Sequence, residues 1–222
     1  EDQNGEEGLT KTVPFVDCQW LKDSLVKTYE TLAFLPPPMK CPKNTFNTWN
    51  GFPIERVKLD QTADTSRLYT HLGFISNHNP DVQEYLTNWL AQIVQFPGTK
   101  SKVAILIAGE EGSGKSTFGE YYLREIVGQN RLRITSKIDE LTGTFADLQN
   151  KLLVTLNETS GKDTHQIDNL IKDLITRVDT TVQNKGVDAY DTVVCDRLVC
   201  TTNNSNSLPI VKKNRRWMAT KM

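Results

Sequence analysis

The clearest pattern of apolar and polar positions lies in the stretch NPDVQEYLTNWLAQIVQF, which begins at Asn79. Asn79 is a favourable N-cap, Pro80 suits the first helical position, and Asp81 complements the positive end of the helix dipole. The apolar residues recur at helical spacing and form one wide stripe of Val82, Tyr85, Leu86, Trp89, Leu90, Ile93 and Val94. The pattern predicts a helix that packs on a core and ends at Pro97–Gly98.

Beyond this helix, short apolar runs alternate with helical stretches. The run VAILIA at 103–108 is typical of a central parallel strand that is covered on both faces. The pattern then predicts a helix over about 115–127, a strand near 132–135, a helical stretch around 139–150, a strand at 152–156, a helix at 167–178 and a strand at 197–204. Such alternation predicts an α/β fold with a mainly parallel sheet.

The residues before Asn79 give a weaker signal. Residues 16–35 have a loosely helical pattern that is closed by three prolines at 36–38. The loop NTFNTWNGF at 44–52 carries Phe46, Trp49 and Phe52, which could stack on bases but more often would pin the loop to a core. We therefore divide the chain into a small, mostly helical junction or collar segment at 1–78 and a main core at 79–222.

Composition narrows the classes of protein. The formal net charge of −1 gives no bulk attraction to nucleic acid, so such binding would need a local patch. The chain has no run of about 18 apolar residues, and its start, EDQNGEEGLTK, has no initiator Met or signal-peptide pattern. We expect a piece of a longer polypeptide, without a membrane partner. The four cysteines form no CxxC pair, and free buried thiols at Cys195 and Cys200 would suit a reducing compartment.

The segment GEEGSGKS matches the phosphate-loop pattern G-x-x-x-x-G-K-[ST] in full and lies between a predicted strand and a predicted helix. Glycines at 112 and 114 allow successive N–H groups to converge on a phosphate, and the helix N-terminus adds positive potential. The lysine would reach the β- and γ-phosphates, and the serine hydroxyl would bind Mg²⁺. The predicted nucleotide-binding residues are Gly109, Glu110, Glu111, Gly112, Ser113, Gly114, Lys115, Ser116 and Thr117.

The stretch LLVTLNETSGKD at 152–163 delivers an acid, Glu158, to the end of an apolar strand. This placement predicts a base that orients the attacking water and a second group at the magnesium site, although a capping role is the alternative. Asn157 occupies the position where such hydrolases often carry an aspartate. Because Mg²⁺ keeps several waters, Asn157 could still accept a hydrogen bond from a metal-bound water.

Two further segments add candidate catalytic residues. Asn203 follows the last predicted strand and could contact the γ-phosphate or the attacking water, with an ordinary turn as the alternative. The segment KKNRRW at 212–217 is either a solvated basic run or the source of an arginine finger. In the second case Arg215 or Arg216 would act in the site of a neighbouring subunit.

The motifs in order resemble the superfamily 3 helicases, especially the helicase parts of viral and phage primase–helicases of the poxvirus and primase–polymerase types. The matching pieces are LIAGEEGSGKST, LLVTLNETSGKD, IKDLITRVDTTVQNKGVDAYD, CTTNN and NRRW, within about 80–217. The resemblance implies an AAA+-like P-loop NTPase core with three layers. It also implies Mg²⁺-dependent ATP hydrolysis at the interfaces of a ring, usually a hexamer, that moves on single-stranded DNA.

The resemblance also implies a DNA-contacting hairpin in the channel of the ring. The matching stretch runs through Gln183 to Gly186, where Lys185 would grip a phosphate and Gly186 would allow a tight tip. An ordinary exposed turn charge is the alternative for Lys185. A primase or polymerase domain of the same polypeptide and a replication site in the host cytoplasm complete the expected setting.

The sequence thus favours an ATP-dependent DNA helicase core for viral or phage DNA replication, truncated at the C-terminus. Two alternatives remain open at this point. One is another P-loop ATPase, such as an initiator-type loader or a packaging motor. The other is a non-catalytic module that binds ATP to assemble a ring.

Overall fold

The structure, a computed structural model, describes residues 23–58, 60–141, 148–157, 171–182, 190–203 and 215–222. Its first two strands, β1 (Thr31–Ala33) and β2 (Thr45–Asn47), pair in parallel, and a short 3₁₀ helix follows at Pro53–Arg56. The loosely helical pattern at 16–35 does not produce a helix within residues 23–35. Leu25 and Leu32, two apolar residues of this pattern, are 86% and 75% exposed, so they do not belong to a buried helical face.

The aromatic residues of the loop at 44–52 fasten it to the core. Trp49 packs edge-on against Phe34 and Phe52, with ring centroids 5.6 and 5.0 Å apart, and Phe52 is only 2% exposed. The Arg131 guanidinium lies over the Trp49 ring at 4.2 Å from its centroid. The interpretation that these aromatics pin the loop is confirmed for Trp49 and Phe52, whereas Phe46 remains half exposed.

In the described range 60–103, helices α1 (Ser66–Ile75) and α2 (Pro80–Gln95) precede the first strand of the central sheet. The predicted N-cap is confirmed, because Asn79 Oδ1 accepts hydrogen bonds from the amides of Asp81 and Val82 at 3.0 and 3.3 Å. The buried stripe of α2 is narrower than predicted. It contains Leu86, Trp89, Leu90 and Ile93, while Tyr85 and Val94 at its margins are exposed.

A five-stranded parallel sheet forms the centre of the fold. Its strands are β3 (Ala104–Ala108), β4 (Leu132–Thr135), β5 (Leu153–Asn157), β8 (Arg197–Thr202) and β9 (Trp217–Lys221), in the spatial order β4-β5-β8-β3-β9. Strand β8 therefore lies between β3 and β5, and all pairings in this sheet are parallel.

Both faces of the sheet are covered, as the continuous apolar strands require. One buried cluster joins Ile105, Ile107 and Val199 to the two helices that carry Trp89 and Phe118. The other joins Leu106, Val154, Leu156, Leu198 and Cys200 to a helix at 171–176, here α4, through Ile171, Leu174 and Ile175. The predicted three-layer α/β architecture is confirmed.

The helix after β3, here α3, spans 115–127 and ends at Gly128, as predicted. It has π-helical hydrogen bonding at Thr117–Tyr122 and α-helical hydrogen bonding at Leu123–Val127. The helical stretch expected around 139–150 is represented by a 3₁₀ helix at Ile138–Leu141, and 142–147 lie outside the described residues.

Strands β6 (Asp179–Val182) and β7 (Tyr190–Val193) form an antiparallel pair between α4 and β8. This pair occupies the place of the expected hairpin. The connecting residues 183–189, which include Lys185 and Gly186, lie outside the described residues.

Strand β9 was not predicted, because its segment has only a short apolar run beside a basic cluster. It pairs with β3 along its whole length, from Ala104 opposite Trp217 to Ala108 opposite Lys221. The segment that follows Arg216 therefore supplies the edge strand beside β3.

A buried arginine fixes the entry of β8 into the sheet. The Arg197 guanidinium donates hydrogen bonds to the carbonyls of Phe96 and Thr99 at 2.9 and 2.5 Å and to Gln92 Oε1 at 3.2 Å. Burial lowers the pKa of Arg197 to about 10. These bonds tie the end of α2 to β8, whose other end carries Thr201 and Thr202 and is followed by Asn203.

The two thiols in this region are free and buried, as predicted for Cys195 and Cys200. Burial raises the pKa of Cys195 to about 12 and raises that of Cys200 as well. No helix in the described ranges has the length and apolar character needed to cross a membrane.

Candidate functional site

The phosphate-loop segment connects β3 to α3, in the setting that the sequence predicted. Gly112 and Gly114 have φ angles of +78° and +97°, a region that residues with a Cβ rarely adopt. At Gly114 an added Cβ would also lie 2.8 Å from His71 Nε2 on α1. Glycine is thus required here by backbone conformation at both positions, and by a close neighbour at Gly114.

Lys115 is 7% exposed, and its ammonium lies within the loop. It donates hydrogen bonds to the carbonyl oxygens of Gly109 and Glu110 at 2.8 and 2.5 Å and to Ser113 Oγ at 3.3 Å. Burial lowers the pKa of Lys115, while the nearby charge of Glu111 opposes this shift. The loop therefore holds the Lys115 ammonium through two of its own backbone carbonyls and one hydroxyl.

A cavity of about 350 Å³ opens beside the loop. Its walls bring the start of α3 together with the carboxyl ends of β5 and β8, where ligands bind in open α/β sheets. The lining residues are Glu111, Gly112, Gly114, Lys115, Ser116, Thr117, Asn157, Thr201, Thr202 and Asn203. The structure thus places Asn203 with most of the predicted loop residues.

The remaining loop residues, Gly109, Glu110 and Ser113, line an adjoining cavity of about 420 Å³. Asn203 belongs to both cavities, and Lys221 and Met222 close the second one from the end of β9. All nine predicted nucleotide-binding residues are accordingly within one continuous region of the loop, from the end of β3 to the first turn of α3.

Asn157 takes part in a polar chain at the end of β5. Its side-chain nitrogen donates to Glu120 Oε1 at 2.8 Å, and its oxygen accepts from Thr201 Oγ1 at 2.9 Å. Two residues back along β5, the Thr155 hydroxyl donates to the carbonyl of Gly119. These bonds connect α3, β5 and β8 directly beside the cavity.

The other predicted residues are elsewhere or outside the described part of the chain. Glu158, Lys185 and Gly186 are outside it. Arg215 and Arg216 precede β9, and the carbonyl of Arg216 accepts a hydrogen bond from the Ala104 amide at 2.9 Å. This contact is at the amino end of β3, whereas the phosphate loop follows its carboxyl end, so neither arginine joins the cavity of its own chain.

Sequence reasoning missed several residues of the site, among them His71, Glu120, Thr201, Thr202 and Lys221. His71 and Lys221 come from elements whose packing against the loop has no local sequence signal. For Thr201 a signal existed, since it lies at the end of β8, two residues before Asn203. Glu120 could have been found from its position four residues after Ser116, because residues so spaced share a helix face.

The parallel sheet, its strand order and the loop between β3 and α3 define an α/β fold of the P-loop NTPase type. A sequence model described as a family of unknown function (DUF5906) matches residues 107–216, slightly less than half of the chain. No curated protein sequence matches the chain.

Solved structures are similar to it in fold. The A form apo structure of the NrS-1 C-terminal region has a TM-score of 0.74 and 22% identity, over 90% of this chain and 48% of that one. The apo structure of residues 305–718 of the same region has a TM-score of 0.72 and 21% identity, over 86% and 47%. JCV helicase gives a TM-score of 0.45 and 15% identity over 72% and 46%, too low to indicate a shared fold by itself. The chain spans about half the length of each of these structures.

Proposed function

We propose that this chain is the ATP-hydrolysing motor core of a ring-forming DNA helicase or translocase that serves viral or phage DNA replication. The observation that carries the proposal is the cavity in which a complete phosphate loop meets the polar ends of β5 and β8. The resemblance of the ordered motifs to superfamily 3 helicases favours DNA as the polymer on which the motor acts.

In this proposal the loop binds the triphosphate. The positive φ angles at Gly112 and Gly114 turn backbone N–H groups toward the phosphates, and the amino end of α3 adds its dipole. Lys115 exchanges its hydrogen bonds with the loop carbonyls for bonds to phosphate oxygens. The ammonium neutralises charge that would otherwise resist transfer of the terminal phosphoryl group.

The residues present fit a magnesium ion. Mg²⁺ prefers oxygen ligands and retains several waters, and the Ser116 hydroxyl and the Asn157 amide oxygen belong to one cavity with the loop. Ser116 would hold the ion, and Asn157 would bond to one of its waters. When bound, the ion would neutralise charge on the phosphates.

Catalysis is assigned to groups at the ends of the central strands. Glu158, directly after β5, would orient the attacking water and support the magnesium site. Asn203, after β8, would contact the γ-phosphate. Arg215 and Arg216 lie just before β9, beside the amino end of β3, whereas the phosphate loop follows the carboxyl end of β3. Either arginine would therefore act in the site of an adjacent subunit.

The DNA contact is assigned to the antiparallel pair β6–β7, which is inserted just before β8. Lys185 and Gly186 belong to the connection between these strands. Repeated around a ring, one lysine per subunit would supply the local positive charge that a net charge of −1 does not provide.

The test is turnover of Mg·ATP with and without single-stranded DNA, together with unwinding of a forked duplex. We expect hydrolysis that DNA stimulates and strand separation that requires ATP. Lys115→Ala should abolish nucleotide binding, while Lys40→Ala, which removes an exposed lysine far along the chain, should not. Glu158→Gln should retain ATP binding and lose most hydrolysis.

The alternatives predict different outcomes. DNA-stimulated hydrolysis without unwinding would favour a loader or packaging motor, and ATP-dependent oligomers without turnover would favour an assembly module. Lys185→Ala should weaken binding of single-stranded DNA with basal hydrolysis retained. Unchanged DNA affinity in an anisotropy assay at fixed salt would remove Lys185 from the proposed DNA contact.

A further inference from the structure

Glu120 on α3 is hydrogen-bonded to the residue that replaces the usual aspartate of this kind of site. Its Oε1 accepts from Asn157 Nδ2 at 2.8 Å, and Asn157 Oδ1 accepts from Thr201 Oγ1 at 2.9 Å. The bonds link three elements, because Glu120 is on α3, Asn157 ends β5 and Thr201 is on β8.

The carboxylate fixes which way the amide points. An ionised carboxylate can only accept hydrogen bonds, so the Asn157 NH₂ group must face Glu120. The amide oxygen is then left for Thr201 and for the cavity that Asn157 and Thr201 line together. Reversal of the amide would place its oxygen against Glu120 Oε1 and leave a donor facing the site.

Glu120 also follows Ser116 by four residues in the same helix. Residues at this spacing lie on one helix face, so the carboxylate is one turn beyond the hydroxyl proposed for magnesium. A negative charge is thus retained beside the site, although position 157 is neutral.

We propose that Glu120 is a positioning residue for Mg·nucleoside triphosphate. It orients Asn157 and carries the negative charge that related hydrolases have in the aspartate at the position of Asn157. The proposal rests on the proposed function for its catalytic part, whereas the pairing of the two side chains rests on the structure alone.

The pairing of Asn157 with Glu120 predicts that a negative charge at position 157 is unfavourable. An aspartate at 157 would set a second carboxylate against Glu120 Oε1, at a site where Asn157 Nδ2 is now 2.8 Å away. Like charges this close repel, so Asn157→Asp should harm the protein even though it recreates the common acidic residue. In the double variant, Glu120→Gln supplies the NH₂ donor and the aspartate at position 157 is the charged acceptor. The pair then again has one donor, one acceptor and one negative charge, with the two positions exchanged.

The experiment compares Asn157→Asp, Glu120→Gln and the double variant. Asn157→Asp with Glu125→Gln is the matched control, since Glu125 is an exposed acid of the same helix and the net charge is then equal. The thermal midpoint without nucleotide reports pairing, and steady-state turnover of Mg·ATP reports positioning.

We expect Asn157→Asp to lower the nucleotide-free midpoint by about 3 °C or more and turnover by roughly tenfold or more. The Asn157→Asp, Glu120→Gln double variant should recover most of both losses, and the control should recover neither. The proposal is overturned if Asn157→Asp matches the parent, or if the double variant is no better than the control. A parent that neither binds nor hydrolyses ATP would refute the proposed function and the positioning role, while the thermal comparison would still decide the pairing.

Discussion

The Ala104 amide donates a 2.9 Å hydrogen bond to the Arg216 carbonyl, at the amino end of the strand that leads into the phosphate loop. Strand β3 runs from Ala104 to Ala108, and Lys221 is paired with Ala108 at its other end. Ala104 is five residues before Gly109, so at about 3.3 Å per residue its contact with Arg216 is on the order of 16 Å from the start of the loop. The two arginines of this segment therefore precede β9 at the end of β3 that is opposite to the phosphate loop of their own chain.

This separation predicts that an arginine finger, if supplied by this segment, acts between subunits. Arg216→Ala and Lys115→Ala should each be inactive alone, because each removes one half of every interfacial site. Mixed in equal amounts in a closed ring, they should regain about a quarter of parental hydrolysis, the fraction of interfaces with both groups intact. The measurement is turnover of the mixture relative to each variant.

Arg215→Ala is tested in the same mixture, because the sequence leaves either arginine as the finger. The arginine variant that is inactive alone and regains activity when mixed with Lys115→Ala identifies the residue that acts in trans. A mixture with no more activity than its separate components, for both arginines, would contradict action across the interface.

Substitution of the two loop glycines with positive φ, Gly112 and Gly114, distinguishes the cost of backbone strain from the cost of a steric contact. Gly112→Ala meets no atom within 4 Å, so its cost is the strain of the backbone alone, of order 1–3 kcal/mol. Gly114→Ala adds a contact with His71 Nε2 at 2.8 Å and should be less stable than Gly112→Ala. Chemical denaturation of both variants measures the difference.

The double variant Gly114→Ala, His71→Ala identifies the source of the extra cost. Once the imidazole of His71 is removed, the loss caused by Gly114→Ala should be close to that of Gly112→Ala, after allowance for His71→Ala alone. Equal stability of the two single glycine variants would show that the His71 side chain can move away at no measurable cost in the free energy of unfolding.

A buried ion pair joins the entries of β3 and β8. Lys100 Nζ is 3.4 Å from Asp196 Oδ1, with the side chains 6% and 3% exposed, and also donates to the Arg177 carbonyl at 3.0 Å. Burial lowers the pKa of Lys100, and Asp196 opposes this shift. Asp196→Asn would leave a buried cation without its counter-charge and should cost about 3 kcal/mol.

The control for this prediction is Asp173→Asn, which removes a pair with Arg177 at 4.0 Å in which the aspartate is 66% exposed. Exposed pairs contribute little, so the expected cost is below about 1 kcal/mol. Replacement of both buried partners, Lys100→Met with Asp196→Leu, should be less harmful than Asp196→Asn. Equal free energies of unfolding for Asp196→Asn and Asp173→Asn would show that the buried pair has no special role.

The central strands and the phosphate loop could be predicted because their signals are local. A buried parallel strand must be apolar at successive positions, and the loop needs glycine where φ is positive, so VAILIA and GEEGSGKS identify both features. The N-cap at Asn79 is local in the same sense and was also correct.

The features that were missed depend on contacts between distant segments. Strand β9 has a weak apolar pattern because it lies at the edge of the sheet, where only part of each residue is buried. The width of the buried stripe of α2 was overestimated, because periodicity shows which residues share a helix face but not how much of that face a neighbouring element covers. Tyr85 and Val94 lie at the margins of the face and are exposed. The bond from Asn157 to Glu120 spans 37 positions and follows from the placement of α3 on β5, which no local pattern encodes.

The contact between His71 of α1 and the phosphate loop makes the stability of the fold depend on pH. Burial lowers the pKa of His71 from its ordinary value of 6.5, while a hydrogen bond with the Gly114 backbone opposes the shift. Its Nδ1 is buried and has no hydrogen-bond partner among the described residues, so a charged imidazole would present an unsatisfied donor there. In the range just below pH 6.5 the unfolded chain therefore binds a proton more readily than the folded chain. By linkage, the contribution of His71 to the free energy of unfolding is complete above this range and is lost as the pH falls through it.

We expect the thermal midpoint of the parent to fall more between about pH 7.5 and about pH 5.5 than that of His71→Asn. His78→Asn, which replaces an exposed histidine with another residue tolerant of positive φ, serves as the control and should follow the parent. Parallel pH curves for the parent and His71→Asn would show that His71 does not couple folding to protonation.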